Sequence, residues 1–214
     1  MRITNNYNEL IPNQWAIILL AAGSSSRMGK PKQLLRYNGD SFLSHMLNIC
    51  IEVNTGKVIV VLGANAGLLE NELNDKKVFK VINNEWAEGI ASSIRCGLNA
   101  LGEIEPSCDK VIFLVCDQPF VSASLLNDLI NMHNETGKQI VASSYANTLG
   151  IPALFDKSLF PELKKLKGDT GAKKIILKHR DKVAAIRFPT GSVDIDTMDD
   201  YEELNKSILK NNVR

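Results

Sequence analysis

A run of small residues followed by spaced cations, LAAGSSSRMGKPKQLL from Leu20 to Leu35, is the stretch best suited to chemistry. Gly23 and the serines after it can expose backbone N–H groups in a concave loop, and such nests bind anions. Arg27 and Lys32 add fixed positive charge, Arg27 as a planar fork and Lys32 as a point charge. Together they predict a cradle for a polyphosphate. The loop is not a Walker motif, because five residues separate Gly23 from Gly29 and Lys30 is followed by Pro31. It is not a dinucleotide fingerprint, because Ser25 stands where that pattern needs its second glycine.

Carboxylates supply the complementary chemistry. Asp117, in FLVCDQPFV, follows an apolar run and precedes a proline by two residues. At the C-terminal tip of a buried strand it could hold Mg²⁺, although a turn or N-cap Asp is the common structural alternative. In SVDIDTMDDYEEL, Asp194 and Asp196 alternate with Ile195, so on a strand both carboxylates would face one side. Either could be a second metal ligand or a solvated acid at a strand end. Asp199 and Asp200 are expected to open a helix, where acids suit the dipole, with Thr197 as N-cap. In NNEWAEGIASSIRCGL, Gly89 and the serine pair open a helix whose N-terminus could face a ligand. In LKGDTGAKK, Asp169 can cap a helix start while Gly168, Thr170 and Gly171 could approach a substrate. His45, His133 and His179 sit singly on helical segments, with no nucleophile paired to them, and read as structural.

These residues need a scaffold, and the apolar pattern predicts one. Ala16–Ala22, Lys57–Leu62, Val78–Ile82, Lys110–Cys116 and Gln139–Ser143 read as strands. Several are apolar almost throughout, as strands covered on both faces are. Between them Ser41–Val53, Ala66–Leu73, Ile90–Leu101 and Ser122–Glu135 read as helices, with Ser122 as an N-cap. Gly150–Phe155 is expected as a short edge or insert strand, residues 158–166 and 171–179 as helices, Val183–Phe188 and Val193–Ile195 as strands, and Met198–Leu209 as a closing helix. The order predicts an α/β layered fold with a mostly parallel sheet. Ligands of such folds sit beyond the strands' carboxyl ends, where the loop after Ala22 and Asp117 both fall.

Composition narrows the function classes. The 214 residues carry 25 Lys+Arg against 24 Asp+Glu, a net charge of +1. That balance argues against a nucleic-acid binder working through bulk basic charge and against a disordered chain. The longest apolar run, Trp15 to Ala22, is too short to span a bilayer, so no membrane is expected. Cys50, Cys96, Cys108 and Cys116 form no CxxC pair, which predicts reduced, mostly buried thiols in a cytoplasmic protein. Residues 1–14 read as a loose leader and 15–214 as a single domain.

In combination these segments resemble the MobA-like NTP transferases, the nucleotidyltransferase family that includes molybdenum cofactor cytidylyltransferase. LAAGxSxRMGxxKxLL is matched at Leu20–Leu35, the D-x-P at Asp117–Pro119, and NxxWxEGxxxSxxxGL at Asn83–Leu98. GxPxLF is matched at Gly150–Phe155, GDxGA at Gly168–Ala172 and DIDTxxDY at Asp194–Tyr201. The resemblance implies a Rossmann-like, three-layer nucleotide-diphospho-sugar transferase fold. It implies transfer of a nucleoside monophosphate from an NTP, with Mg²⁺ as cofactor. Arg27, Lys32 and Asp117 would be the catalytic residues. Arg27 would hold the distal phosphates, Lys32 those near the reacting centre, and Asp117 the Mg²⁺, completed by Asp194 or Asp196. Leu20, Ala21, Ala22, Gly23 and Ser24 would bind the nucleotide, with Asn84 and Ser92 helping to read the base. Ala22 in LAAG favours CTP over the guanylyl branch, which reads LAGG. Gly150, Pro152, Gly168, Asp169 and Gly171 would wall the acceptor groove. The implied acceptor is molybdopterin, and the implied protein partner a molybdenum hydroxylase or its chaperone. Ile151 stands where many relatives carry His, which leaves room for a small polyol or isoprenoid-precursor phosphate. A non-catalytic NTP-binding accessory protein for hydroxylase maturation is the alternative from another class.

Overall fold

A computed structural model describes residues 15–212 except 55 and 75, with side chains through residue 206. The leader expected over residues 1–14 lies outside the described residues. The first strand, β1 (Trp15–Ala21), runs into two short 3₁₀ turns and a small ribbon, β2 (Arg36–Tyr37) and β3 (Asp40–Ser41). Then follow α1 (Phe42–Glu52), β4 (Gly56–Leu62), α2 (Ala66–Leu69), β5 (Phe79–Ile82), α3 (Ile90–Ile104), β6 (Lys110–Val115) and α4 (Ala123–Thr136). The second half comprises β7 (Ile140–Tyr145), β8 (Thr148–Asp156), α5 (Phe160–Leu163), α6 (Lys173–Lys178), β9 (Val183–Arg187) and α7 (Met198–Asn212).

Seven strands form one sheet in the order β5-β4-β1-β6-β8-β7-β9. Parallel pairing joins β5, β4, β1 and β6, and again β7 and β9, while β8 runs antiparallel to both its neighbours. The apolar strands divide their side chains between two cores, as strands covered on both faces must. Ile17, Leu19, Val60 and Ile112 pack with Phe42, Met46, Leu126 and Leu129 of α1 and α4. Ile18, Leu20, Val61 and Phe113 pack with Ile94 and Leu98 of α3 and Ile176 of α6. The result is the α/β, Rossmann-like, three-layer arrangement expected. Phe113 and Phe155 meet edge to face across β6 and β8 at 5.9 Å, and burial of each is worth about 1.5–3 kcal/mol. Gly97 lets α3 lie directly on the sheet, since a Cβ there would come 2.7 Å from Ile18 Cγ2.

Four expectations are corrected. The Gly150–Phe155 segment belongs to a nine-residue strand inside the sheet, neither an edge nor an insert. Its reversal comes from a two-residue turn at Ala146 and Asn147, both with positive φ, which sends the chain straight back along β7. Val193–Ile195 is not a strand. The chain leaves β9, the last strand of the sheet, through a 3₁₀ turn at Pro189–Ser192 and pairs with no strand afterwards. Asp194 and Asp196 are therefore not set by strand alternation. The helix expected over 158–166 shrinks to a 3₁₀ turn and the single turn of α5. Asp169 does not cap the helix after it, because α6 starts from Ala172 without a side-chain cap; two other helix starts do what the sequence suggests. Ser122 caps α4 by accepting from the Leu125 N–H at 3.2 Å. Thr197 and Asp200 cap α7 reciprocally, the Asp200 N–H donating to Thr197 Oγ1 and the Thr197 N–H to Asp200 Oδ2.

Candidate nucleotide-binding cleft

The carboxyl ends of β1 and β6 open into a cleft of about 350 Å³. Leu20–Ser24, Lys32 and Gln33 form one wall, Val115–Asp117 the floor beside it, and Trp86, Ala87, Gly89, Ile90, Ser93 and Asp169 the far side. The loop after β1 is held open by Gln33, 1% exposed, whose Nε2 donates to the carbonyls of Ala21 at 3.1 Å and Gly23 at 3.0 Å. Ser25 sits in the left-handed region at φ 56°, and its hydroxyl donates to Gln33 Oε1 and accepts from the Lys32 N–H. Loop carbonyls are thereby tied down, while the amides of Ser24, Ser25 and Ser26 are uncommitted among the described residues. Gly23 has no neighbour within 4 Å of a would-be Cβ, so its face of the loop is open. This is the geometry of an anion nest.

Charge converges at one end. Lys32 Nζ lies 2.5 Å from Asp117 Oδ2 and 3.0 Å from Asp196 Oδ1, and Arg27 Nη2 lies 2.8 Å from Asp196 Oδ2. Burial alone would lower the Lys32 pKa, but the Asp117 charge and the two carboxylate hydrogen bonds outweigh it and raise it. Partial burial pushes Asp196 up, yet Lys32 and Arg27 hold it below the usual carboxylate range. Asp194 is shifted the other way. Desolvation and the charges of Asp117 and Asp196 raise its pKa, opposed by the Gln118 amide and Lys32. Ile195 lies between the two acids as a backbone anchor, its N–H donating to the Asp117 carbonyl at 3.0 Å.

Asp117 Oδ1 is buried and has no hydrogen-bond partner among the described residues. An orphaned carboxylate oxygen beside a second, charge-destabilised carboxylate suits a hard cation. Among the described residues no three His, Cys, Asp or Glu side chains are gathered closely enough to cage a metal alone. Mg²⁺ is commonly held by one or two carboxylates plus substrate phosphates, so an incomplete protein shell fits such a site.

The sequence-predicted residues distribute unevenly. Leu20 to Ser24, Lys32, Asp117 and Asp169 share the cleft. Arg27 stands at its exposed rim, on Asp196. Asn84 and Ser92 do not line the cleft. Asn84 is exposed, and the Ser92 hydroxyl is spent on the Gly89 carbonyl and the Asn83 amide. Ser93 lines it instead, accepting from Asn83 Nδ2 at 3.0 Å and keeping its own hydrogen to donate. Of the acceptor set, Gly150 and Pro152 are buried in β8, the first against Tyr145. The Gly168 carbonyl accepts from the Ala91 N–H at 3.1 Å, and Asp169 Oδ1 would lie 2.4 Å from a Cβ on Gly89. The N-terminus of α3 is thus partly covered by the 168–169 loop. Gly171 packs beside Ile90 behind it. Gln33 and Trp86 were not expected in the cleft. Gln33 follows the lysine directly, and Trp86, 38% exposed, is the kind of residue that signals a ligand surface.

A model of the family described as MobA-like NTP transferase domain matches residues 17–183. Nicotine blue oxidoreductase of Paenarthrobacter nicotinovorans is 27% identical over 200 residues, covering 87% of this chain and 94% of its own. Purine catabolism protein PucB of Bacillus subtilis (strain 168) is 26% identical over 193 residues, covering 87% and 92%. Among solved structures, Rv0371C of Mycobacterium tuberculosis H37Rv in complex with manganese superposes with a TM-score of 0.75 at 28% identity, covering 91% of this chain and 99% of that one.

Proposed function

Because the chain belongs to the MobA-like NTP transferase family and is therefore a nucleotidyltransferase, we propose that it transfers CMP from CTP to a phosphorylated pterin, molybdopterin, releasing pyrophosphate with Mg²⁺ as cofactor. An oxygen of the acceptor phosphate forms the new bond to the α-phosphorus, and the bond from the α-phosphorus to the bridging oxygen of the β-phosphate breaks. No protein nucleophile is needed, so the protein's task is to align two anions and neutralise charge. Asp117 and Asp194 would hold the divalent cation, which when bound offsets phosphate charge and orients the α-phosphate. Lys32 would neutralise the phosphates near the reacting centre. Arg27 meets the distal phosphates from the rim. Leu20–Ala22 bound the base, and the Ser93 hydroxyl can donate to an acceptor such as the cytosine O2. Asp169 faces the acceptor side, with Gly168 and Gly171 behind it.

The observation that carries this reading is the meeting of Lys32, Asp117 and Asp196 at the mouth of an anion nest, with one Asp117 oxygen unspent. A binding-only accessory protein has no use for that set. Pyrophosphate release from each NTP, against molybdopterin and against polyol and isoprenoid-precursor phosphates, tests it. CTP with molybdopterin is expected to turn over, and turnover only with a small polyol phosphate would transfer the assignment to that acceptor. Asp117→Ala is expected to abolish transfer with an unchanged circular dichroism spectrum, because it removes a ligand and no core contact. Wild-type turnover in that variant at saturating Mg²⁺ contradicts the metal assignment.

A further inference from the structure

Asp117 and Asp194 lie far apart in the chain, and the second stands on backbone without regular structure. Contacts along residues 188–200 fix this strap. The Phe188 N–H donates to the Ser144 carbonyl at 2.9 Å, tying its start to β7. Gly191 is wedged between two rings, where a Cβ would lie 2.5 Å from Phe188 Cδ1 and from Tyr145 Cδ1. Asp200 closes the far end by accepting from the N–H groups of Asp196 and Thr197. One side chain spans from the Asp117 loop to the strap. Gln118 Nε2 donates to the Gly191 carbonyl at 2.9 Å, with Gln118 only 3% exposed. Its Oε1 is buried without a partner among the described residues. That orphan costs desolvation free energy, which an apolar residue of equal length would not incur. The amide is therefore poorly explained by packing, and its donor is what remains to explain it.

The geometry points to Gln118 as a positioning residue: by clamping Gly191 it holds the strap so that Asp194 and Asp117 face one divalent cation. This rests on the metal reading above. Partners that orient metal ligands typically contribute about 10–100-fold in affinity.

Manganese binding to the full chain, followed by loss of the free-ion electron paramagnetic resonance signal, tests it. Gln118→Met keeps length and burial and removes the donor; Gln118→Ala is the second variant. At least one is expected to melt near the wild type and to bind Mn²⁺ about 10-fold or more weakly. Its kcat at low metal should fall and recover as metal is raised, with KM for the nucleotide little changed at saturating metal. A folded variant with wild-type Mn²⁺ affinity overturns the positioning role and leaves the metal site standing. Wild-type protein that binds no Mn²⁺ with or without nucleotide overturns the metal reading and this role with it. Loss of folding in both variants assigns Gln118 to the fold and overturns the role as well.

Discussion

Lys30 and Lys32 are two residues apart in one loop, yet their surroundings assign them opposite duties. Lys30 is exposed, and no ion pair ties it to a described residue. The Lys32 side chain is 17% exposed, and its ammonium is pinned by two carboxylates. A positioned charge in a partly desolvated cleft acts more strongly on a developing phosphorane-like charge than one in water. Lys32→Ala is expected to lower kcat by roughly 100-fold or more. Lys30→Ala should cost little, and that little should fade with salt. Steady-state kinetics with CTP and an accepted substrate decide the matter; equal losses would mean that the loop uses its cations differently. Residue type and spacing made this part of the cleft legible, since small residues and cations directly after a buried strand have few other uses. The neighbouring serines were not legible in the same way. Ser92 and Ser93 differ by about 100° around α3; Asn83 Nδ2 donates to both, and only the Ser92 bond to the Gly89 carbonyl tells which hydroxyl is spent and which faces the cleft. Gln33 was missed for a related reason: a buried amide holding loop carbonyls leaves no pattern in sequence.

The central strands and the three longer helices beside them could be read because continuous apolar runs and 3.6-residue periodicity survive in the sequence. In the second half β7 and β9 could be read as well, but the place of β8 inside the sheet could not. The turn reversing β8 is made by Ala146 and Asn147, without the glycine that usually announces it. A strand pattern also failed at Val193–Ile195, where the alternation of Asp and apolar residues serves a strap. Between elements, an ion-pair clasp joins α3 to the loop carrying Asp169. Glu88 accepts from Arg95 Nη1 at 2.9 Å and from the Gly168 N–H at 3.1 Å, and Arg95 Nη1 also donates to the Leu166 carbonyl at 2.9 Å. The Arg95 and Gly168 hydrogen bonds hold Glu88 down to about 2, from an ordinary 4.5. Its folded pKa is below the unfolded one, so the unfolded chain binds more protons in that window. The clasp therefore stabilises fully above about pH 4.5 and loses its contribution as pH falls toward about 2. Glu88→Gln should lower the thermal midpoint near neutrality and converge on the wild type as the solution is acidified. Because the pair is exposed, the gap should also narrow with salt. Midpoint curves that stay parallel from pH 6 to about pH 3 would show that Glu88 does not carry this linkage.

Across the whole molecule the charge of +1 conceals a strong asymmetry. Residues 157–182 hold nine of the 25 Lys and Arg but three of the 24 Asp and Glu. Lys164, Lys165, Lys173, Lys174 and Lys178 are exposed on this segment, which leads through Leu166 and Lys167 to Asp169 at the cleft. The proposed substrates, CTP and a phosphorylated acceptor, are both polyanions. A one-signed surface beside a cleft raises the local concentration of opposite charges, accelerating capture by about 10-fold or more at low ionic strength. The lysines of this segment, which do not line the cleft, should thus matter for capture and not for chemistry. Replacing Lys164, Lys165 and Lys174 together with Glu is expected to lower kcat/KM for the anionic acceptor about 10-fold in dilute buffer, with kcat at saturation unchanged. At about 1 M salt, where the screening length is near 3 Å, the variant should approach the wild type. A loss that persists unchanged at high salt, or that falls on kcat, would mean these side chains touch the bound acceptor directly and do not steer it from a distance.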